Sequence, residues 1–451
     1  MVTKLLWEKL PHAFSKHKKS LVSVSWLWLG SLAGASLAFA TQVILARMLG
    51  VEQFGEFSST LAIVTLLAPL AGFGVAGYLL NAFGREGWGA QRWLSGSFRF
   101  LILSTVFVLL LLLTWAWTGP HDTTTAWLLT TLAIHIFGIA TVELTSAKYQ
   151  LEGRHGRLAG WQFTPHMLRF VSIVLLLVLQ GTATLQAIHV AIVYATVALV
   201  ILLLGGYQMR LMLKGQLALK GHAILTVVAN ANLTKNPGPW EVMSASWPFG
   251  MAGVFYLIYF QSDIILIKYL VNESAAGIYS VAFVVMSAVY LFPSVLYQKF
   301  LLPKLHRWAH HDQGQLHRIY RTGNIMMLGL GLAAMVLLWL VVPIVLPWLF
   351  GAEYQEAVVL LMILAVAAPF RFVANSAGAV LATRNHMRMK VRLMGVGALI
   401  NIALNFSLIP IFGAAGAAVA TVVTEALIMV MYFWYYRNSI SSFDTIDQMQ
   451  R

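Results

Sequence analysis

In the stretch GWQFTPHMLRF, Gln162, His166 and Arg169 follow one another at spacings of four and three, which puts them on one face of a helix. The residues that follow, VSIVLLLVL, are apolar. A guanidinium in such a run costs ~2.5–3.5 kcal/mol on insertion scales, so it is kept only where it meets a partner or a watery cavity. Arg371, in APFRFVANSAG beside Pro369, poses the same question, since proline frees a backbone carbonyl that a cation or water can satisfy. Arg47 and Lys268 end two apolar runs, where a long basic side chain can snorkel and complement a helix C-terminus. An arginine fork also suits phosphate oxygens, and lysine supplies a point charge. The candidate substrate or cavity set is therefore Arg47, Arg169, Lys268, Arg371, His166 and Gln162.

Three carboxylates lie in equally apolar surroundings. Asp263 shares a face with Tyr256 and Tyr259, Glu425 sits mid-run, and Glu143 lies in TVELTSAKY. Carboxylates at membrane depth suit reversible binding of a proton or cation, which makes Asp263, Glu425 and Glu143 the candidate ion-coupling set. The bland alternative is a permanent ion pair between these acids and Arg169 or Arg371. Asn401 and Asn405 share one helical face and read as interhelical hydrogen-bonding groups. The chain has no cysteine, which excludes disulfides and thiolate chemistry. It also has no metal-ligand constellation and no GxxxxGK[ST] loop, so neither a cofactor, a bound metal nor catalysis is expected.

The elements that must position these residues are membrane helices. Of the 451 residues, 59% are hydrophobic and 10% charged, with a mean hydropathy of +0.77, against roughly 45–50% and about 25% in soluble chains. Apolar runs long enough to cross a ~30 Å hydrocarbon core recur throughout. Hydropathy and loop signals predict twelve spans near 22–46, 57–80, 98–118, 125–147, 161–180, 186–206, 246–267, 276–302, 323–346, 357–382, 392–412 and 414–436. All 30 Lys and Arg except Arg47, Lys268, Arg169 and Arg371 then fall on one face, which the positive-inside rule makes cytoplasmic, with both termini there. The net charge of +14 is thus topological, and nucleic acid is not a partner. The opposite face has only short loops, such as TGPHDTTT and FGAEYQEA, too small for a catalytic domain.

The expected organisation is a cytoplasmic interfacial amphipathic segment over 1–20, suited to anionic headgroups, a six-helix bundle over 21–206, a cytoplasmic linker over 207–245, a second six-helix bundle over 246–436 and a cytoplasmic tail over 437–451. The run from Leu21 to Ala40 resembles a signal peptide but is longer than one, and is read as a retained first helix. Two echoes support duplication. An offset of 221 lays Thr41 on Ser262, Gln42 on Asp263 and Arg47 on Lys268, and one further residue lays Gly55 on Gly277. An offset of 231 lays RHGR (154–157) on NHMR (385–388). Six spans per half give parallel copies, related by a pseudo-twofold axis along the membrane normal.

The segments QVILARMLGVEQFGEF, DIILIKYLVNESAAGIYSVAF and NIALNFSLIPIFGAAGAAVATVVTE resemble bacterial polysaccharide transporters, the O-antigen-type oligosaccharide flippases of the multidrug/oligosaccharidyl-lipid/polysaccharide exporter superfamily. The resemblance runs from about Leu21 to Tyr436. It implies two six-helix bundles around a central cavity that moves a polyprenyl-diphosphate-linked glycan between leaflets of the bacterial inner membrane for surface polysaccharide (O-antigen or exopolysaccharide) biosynthesis. The expected mechanism is alternating access, coupled to H+ or Na+ as in an antiporter, with membrane lipids and other polysaccharide-assembly proteins as partners. The rival readings are a cation-coupled multidrug exporter of the same superfamily, a membrane-embedded glycan polymerase or ligase, and a scaffold subunit for glycan synthesis.

Overall fold

The computed structural model describes residues 2–181, 185–220, 236–301, 305, 308, 313–383 and 386–439, with side chains from Leu29 onward except at 180, 298–300, 313 and 439. Among them every regular element is helical. The helices are α1 (Val2–Gly72), α2 (Val75–Glu86), α3 (Arg92–Thr118), α4 (Thr123–Leu132), α5 (Ile134–Leu151), α6 (His155–Gln180), α7 (Ala187–Leu213), α8 (Pro239–Leu270), α9 (Glu273–Ser294), α10 (Gln313–Phe350), α11 (Glu356–Ala365), α12 (Ala367–Leu381), α13 (Met387–Phe412) and α14 (Ala414–Ser439).

Nine helical stretches among the described residues are long and apolar enough to cross a membrane, and the pair α11–α12, bent by 42°, makes a tenth. The first of the nine, Leu29–Thr118, has 90 residues. At 1.5 Å per residue that is ~135 Å, far beyond one crossing. It breaks at Gly50, where φ is 70° and ψ 175°, and again through the 3-10 turn Gly87–Gln91. It therefore contains three crossings, and the total is twelve. Span 1 is α1 up to Gly50, span 2 the rest of α1 with α2, span 3 α3, span 4 α4 with α5, and spans 5 to 9 are α6 to α10. Span 10 is α11 with α12, span 11 α13 and span 12 α14. Several helices overrun their expected limits, span 9 among them, because hydropathy sees the hydrocarbon core and not the helical turns that continue into the headgroup layer.

Spans 1–6 and 7–12 form two lobes, with spans 1 and 2 packed against spans 7 and 8 across the boundary. The boundary carries the expected symmetry in its contacts. A Cβ on Gly55 would meet the Glu273 carbonyl oxygen and lie 2.7 Å from the Gly277 nitrogen. A Cβ on Gly277 would meet the Val51 carbonyl oxygen and lie 3.0 Å from the Gly55 nitrogen. Val51 and Glu273 stand in the same register as Gly55 and Gly277, so residue i of one copy touches j of the other and j touches i. That reciprocity is what a twofold axis through the contact produces. Both positions need glycine for this approach.

The same end of the molecule, opposite the basic loops, is tied by polar contacts between lobes. Arg47 donates to the Trp348 carbonyl, and the Tyr354 hydroxyl donates to the Ala46 carbonyl at 3.0 Å. Lys268 donates to the Thr125 hydroxyl at 2.8 Å, and the Trp115 indole to the Tyr269 hydroxyl at 3.3 Å. In each direction the end of a lobe's first span docks on the other lobe's third and fourth. The backbone of the 1–20 segment is helical from Val2, with side chains outside the described residues. Most of the 437–451 tail, linker residues 221–235, the RHGR/NHMR match at Asn385, and Lys304, Arg307 and Arg384 also lie outside them.

Candidate functional site

A chamber of about 890 Å³ lies between the lobes. Span 1 contributes Ser31, Ser36 and Gln42, span 2 Ser58 and Thr65, span 5 Gln162 and His166, span 7 Gln261, and span 8 Ser280 and Ser287. Phe39, Leu61, Ile264, Phe283 and Leu291 supply apolar wall. Spans 1 and 2 line the same space because the chain turns back at Gly50. From Gly30 to Gln42 the lining runs ~18 Å along one helix, and its far end stops under the Gly55–Gly277 contact. Small residues on span 1 let the wall form: Gly34 sits where a Cβ would lie 3.1 Å from the His166 ring.

No Lys, Arg, Asp or Glu is among the lining residues. The polar part of the wall offers hydroxyls, carboxamides and one imidazole, set among apolar side chains and carrying no carboxylate, ammonium or guanidinium group. Of the six expected cavity residues, the structure brings Gln162 and His166 to the chamber. The other four are elsewhere.

Arg169 shares their helical face but reaches between spans 4 and 6. Its Nη2 lies 3.4 Å from His135 Nε2, and its guanidinium stacks over the Tyr194 ring at 4.8 Å. No carboxylate pairs with it among the described residues. Arg371 is inside the second lobe, ion-paired with Glu425 at 2.9 Å. It is ringed by Phe260 at 4.8 Å, Tyr259 and Tyr290 at 5.6 Å and Tyr256 at 6.0 Å from the ring centres. With Glu425 fully buried, this is the fixed pair that the sequence left open as the alternative for Arg371 and Glu425. Arg47 and Lys268 belong to the interlobe contact layer. Lys268 is buried there, 3.8 Å from Glu273 and bonded to Thr125, whose hydroxyl lies 3.4 Å from Glu56. Asp122, in the adjoining loop, caps α4 through Thr125 N at 3.0 Å. Burial pushes its carboxyl up, but hydrogen bonds from Thr125 and Thr124 outweigh that and hold it below the usual value.

Asp263 departs from the sequence reading in its neighbours. Tyr256 and Tyr259 surround Arg371, and Asp263 turns instead to span 8 and spans 11 and 12. Its Oδ2 accepts from the Tyr279 hydroxyl at 2.6 Å and from the Thr421 hydroxyl. Its Oδ1 accepts from Asn405 Nδ2 at 2.6 Å. Asn401 joins this cage through Asn405 at 3.1 Å and Ser262 at 3.0 Å, so the two asparagines are the interhelical bonding groups expected. No cation pairs with Asp263 among the described residues. Glu143, one residue beyond the chamber-lining Val142, is exposed and makes no hydrogen bond or ion pair among them.

Gln42, Gln261 and the serines were missed as lining residues because uncharged polar side chains carry little insertion cost and raise no alarm in an apolar run. Their signal was weak but present: Gln42 and Gln261 each interrupt a span next to a repeat-matched residue.

Solved structures share the fold. The lipid II flippase MurJ in an inward-closed conformation superposes with a TM-score of 0.68 at 13% identity, over 91% of this chain and 87% of that one. An inward-facing multidrug resistance MATE family transporter of the MOP superfamily gives 0.67 at 12% identity, over 94% and 99%. A MOP superfamily transporter from Pyrococcus furiosus gives 0.63 at 14% identity, over 94% and 96%. Among curated protein sequences none matches. The family model described as polysaccharide biosynthesis protein matches residues 20–307, which is more than half of the chain and includes spans 1 to 8 with the whole chamber lining. The protein therefore belongs to the polysaccharide biosynthesis protein family, with the fold of the MOP-superfamily flippases and transporters.

Proposed function

We propose that this protein flips a polyprenyl-diphosphate-linked oligosaccharide from the cytoplasmic to the outer leaflet of the bacterial inner membrane, by alternating access of the interlobe chamber. The basic face is taken as cytoplasmic, so the layer holding Gly55, Gly277, Arg47 and Lys268 is the outer seal. The observation that carries the reading is the chamber itself: about 890 Å³, with a largely apolar wall into which amides and hydroxyls are set and no charged group, lying beneath the Gly55–Gly277 contact. Sugars offer many hydroxyls that pair with such groups, and their C–H faces suit Phe39 and Phe283. A site for cationic drugs would place a carboxylate in the wall, and none of the lining residues is one.

Moving the glycan exposed to lipid would strip a hydrogen-bond partner from each hydroxyl, at roughly 2–7 kcal/mol apiece. The chamber replaces those partners, and rocking of the lobes changes the side to which it opens. Replacing Gln42, Gln162 and Gln261 together by Ala is expected to cut glycan export at least about tenfold, the loss of ~1 kcal/mol for each of three hydrogen bonds being more than enough. The measurement is surface polysaccharide in a deletion strain complemented by the variant, with lipid-linked glycan accumulating on the inner leaflet. Normal polysaccharide in the deletion strain itself would overturn the flippase reading.

Coupling is proposed at Asp263. Asp263 is a buried carboxylate without a cation among the described residues, held by donors from Tyr279, Thr421 and Asn405, so it suits reversible uptake of a proton or Na+, and it links span 7 at the lobe boundary to spans 8, 11 and 12. Asp263→Asn keeps the shape and removes the charge. We expect a folded protein whose glycan transport in proteoliposomes no longer responds to an imposed H+ or Na+ gradient; a full response would exclude Asp263 as the carrier.

A further inference from the structure

We propose that a second, smaller pocket in the second lobe binds a phosphoryl group through Lys390 and Arg371; its identification with the diphosphate of the transported lipid rests on the flippase reading above. The pocket lies between spans 7, 10, 11 and 12, has a volume of about 110 Å³, and is lined by Tyr256, Tyr259, Arg371, Asn375, Lys390 and Tyr432 among others.

Its charge does not balance. Glu425 holds Arg371 Nη1 at 2.9 Å and neutralises it. Lys390, in the same small space, has no hydrogen bond and no ion pair among the described residues, and Arg371 Nε is buried without a partner. A lysine kept at a partly apolar site beside a second cation, without an acid of its own, is held at a cost that a bound anion would remove. Gly378 keeps the space open, since a Cβ there would lie 2.9 Å from the Tyr432 ring and 3.5 Å from Lys390 Cε. Arginine, lysine, a carboxamide and tyrosine hydroxyls are the donors that recognise phosphoryl oxygens.

Depth agrees. Lys390 is in the first turn of α13, Ala382 follows the end of α12, and Tyr432 is near the end of α14, all at the basic face. A lipid-linked diphosphate in the leaflet on that side carries its phosphoryl groups at this level. The uncharged chamber gives them no counterion. Span 7 borders both spaces, through Tyr256 and Tyr259 on the pocket and Gln261 and Ile264 on the chamber. The glycan and the diphosphate would thus be held by separate sites on either side of one helix.

The test uses the purified full chain in lipid nanodiscs with a short-chain prenyl diphosphate, the matching prenyl alcohol and inorganic pyrophosphate, followed by calorimetry. The unaltered protein should bind the prenyl diphosphate and not the alcohol. Lys390→Gln should weaken that binding at least about tenfold, while Lys390→Arg keeps it within about threefold. Gly378→Leu, which leaves both charges in place and fills the pocket, should also abolish it. Pyrophosphate competing as well as the prenyl diphosphate would support a phosphoryl site that reads the headgroup alone. Pyrophosphate failing to compete would support one that reads the lipid with it, provided Lys390→Gln is weak. Undiminished binding by Lys390→Gln or by Gly378→Leu overturns the proposal. Export of glycan in the deletion strain is a separate readout, so a failure of the flippase reading leaves the binding result standing.

Discussion

Adding one methyl group at Gly277 is expected to arrest transport while both lobes stay folded. The new Cβ would meet the Val51 carbonyl oxygen and lie 3.0 Å from the Gly55 nitrogen. These neighbours are backbone atoms of a helix, so no rotamer change relieves the clash. The lobes must separate instead. Overpacking of this kind costs ~1–3 kcal/mol, and here the whole cost falls on the sealed state, because the contact is between lobes and neither lobe's interior is altered. A shift of that size moves the sealed-to-open equilibrium constant about 5- to 150-fold toward the open state. Gly55→Ala acts on the reciprocal contact, and the double variant should leave the seal permanently ajar.

The chain has no native cysteine, so a single introduced thiol reads the seal directly. Ser58 lines the chamber below it. With Ser58→Cys alone, a membrane-impermeant thiol reagent added from outside should label slowly. With Ser58→Cys and Gly277→Ala together, labelling should be at least about fivefold faster, in proportion to the gain in open population. Equal labelling rates, or normal glycan export by Gly277→Ala, would show that the glycine contact is not the outer seal.

The glycines illustrate what a sequence can and cannot yield. Gly55 and Gly277 were legible as repeat-related positions, because duplication leaves its register in the chain. That they touch was not legible, since register says nothing about where the axis passes. The twelve spans were legible for a related reason: crossing hydrocarbon demands a long apolar run whatever the neighbours are. The ionisable residues were a different matter. Periodicity placed Arg169 on the face of Gln162 and His166, and the face was right, but a long side chain beyond Pro165 reaches past the chamber to His135 and Tyr194. For Asp263 the same-helix tyrosines were the visible neighbours, whereas its actual partners come from spans 8, 11 and 12, up to 158 residues away. Lys390 drew no attention because it looked like one more basic loop residue. Insertion cost flags a charge as needing a partner; only the packing of helices says which partner it gets.

That distinction governs what Arg371 should do when it is changed. Removing it alone strands the buried Glu425 carboxylate, and breaking a buried pair from one side typically costs 3–5 kcal/mol. Arg371→Met and Glu425→Gln are each expected to lower the yield and thermal midpoint of the purified protein, so their loss of transport would say little about the substrate. Replacing both, as in Arg371→Met with Glu425→Met, removes the stranded charge and should recover most of the stability, since apolar side chains of similar volume often substitute for such a pair at no net cost. The two roles then separate. If the pair is scaffold only, the recovered double variant exports glycan normally. If Arg371 also supplies charge to the pocket it shares with Lys390, the double variant folds, keeps an intact chamber and outer seal, and still fails to export, with prenyl diphosphate binding weakened at least about tenfold. The second outcome is the one expected, because Arg371 keeps an unpartnered Nε beside a cavity that a purely structural pair would have no reason to leave open.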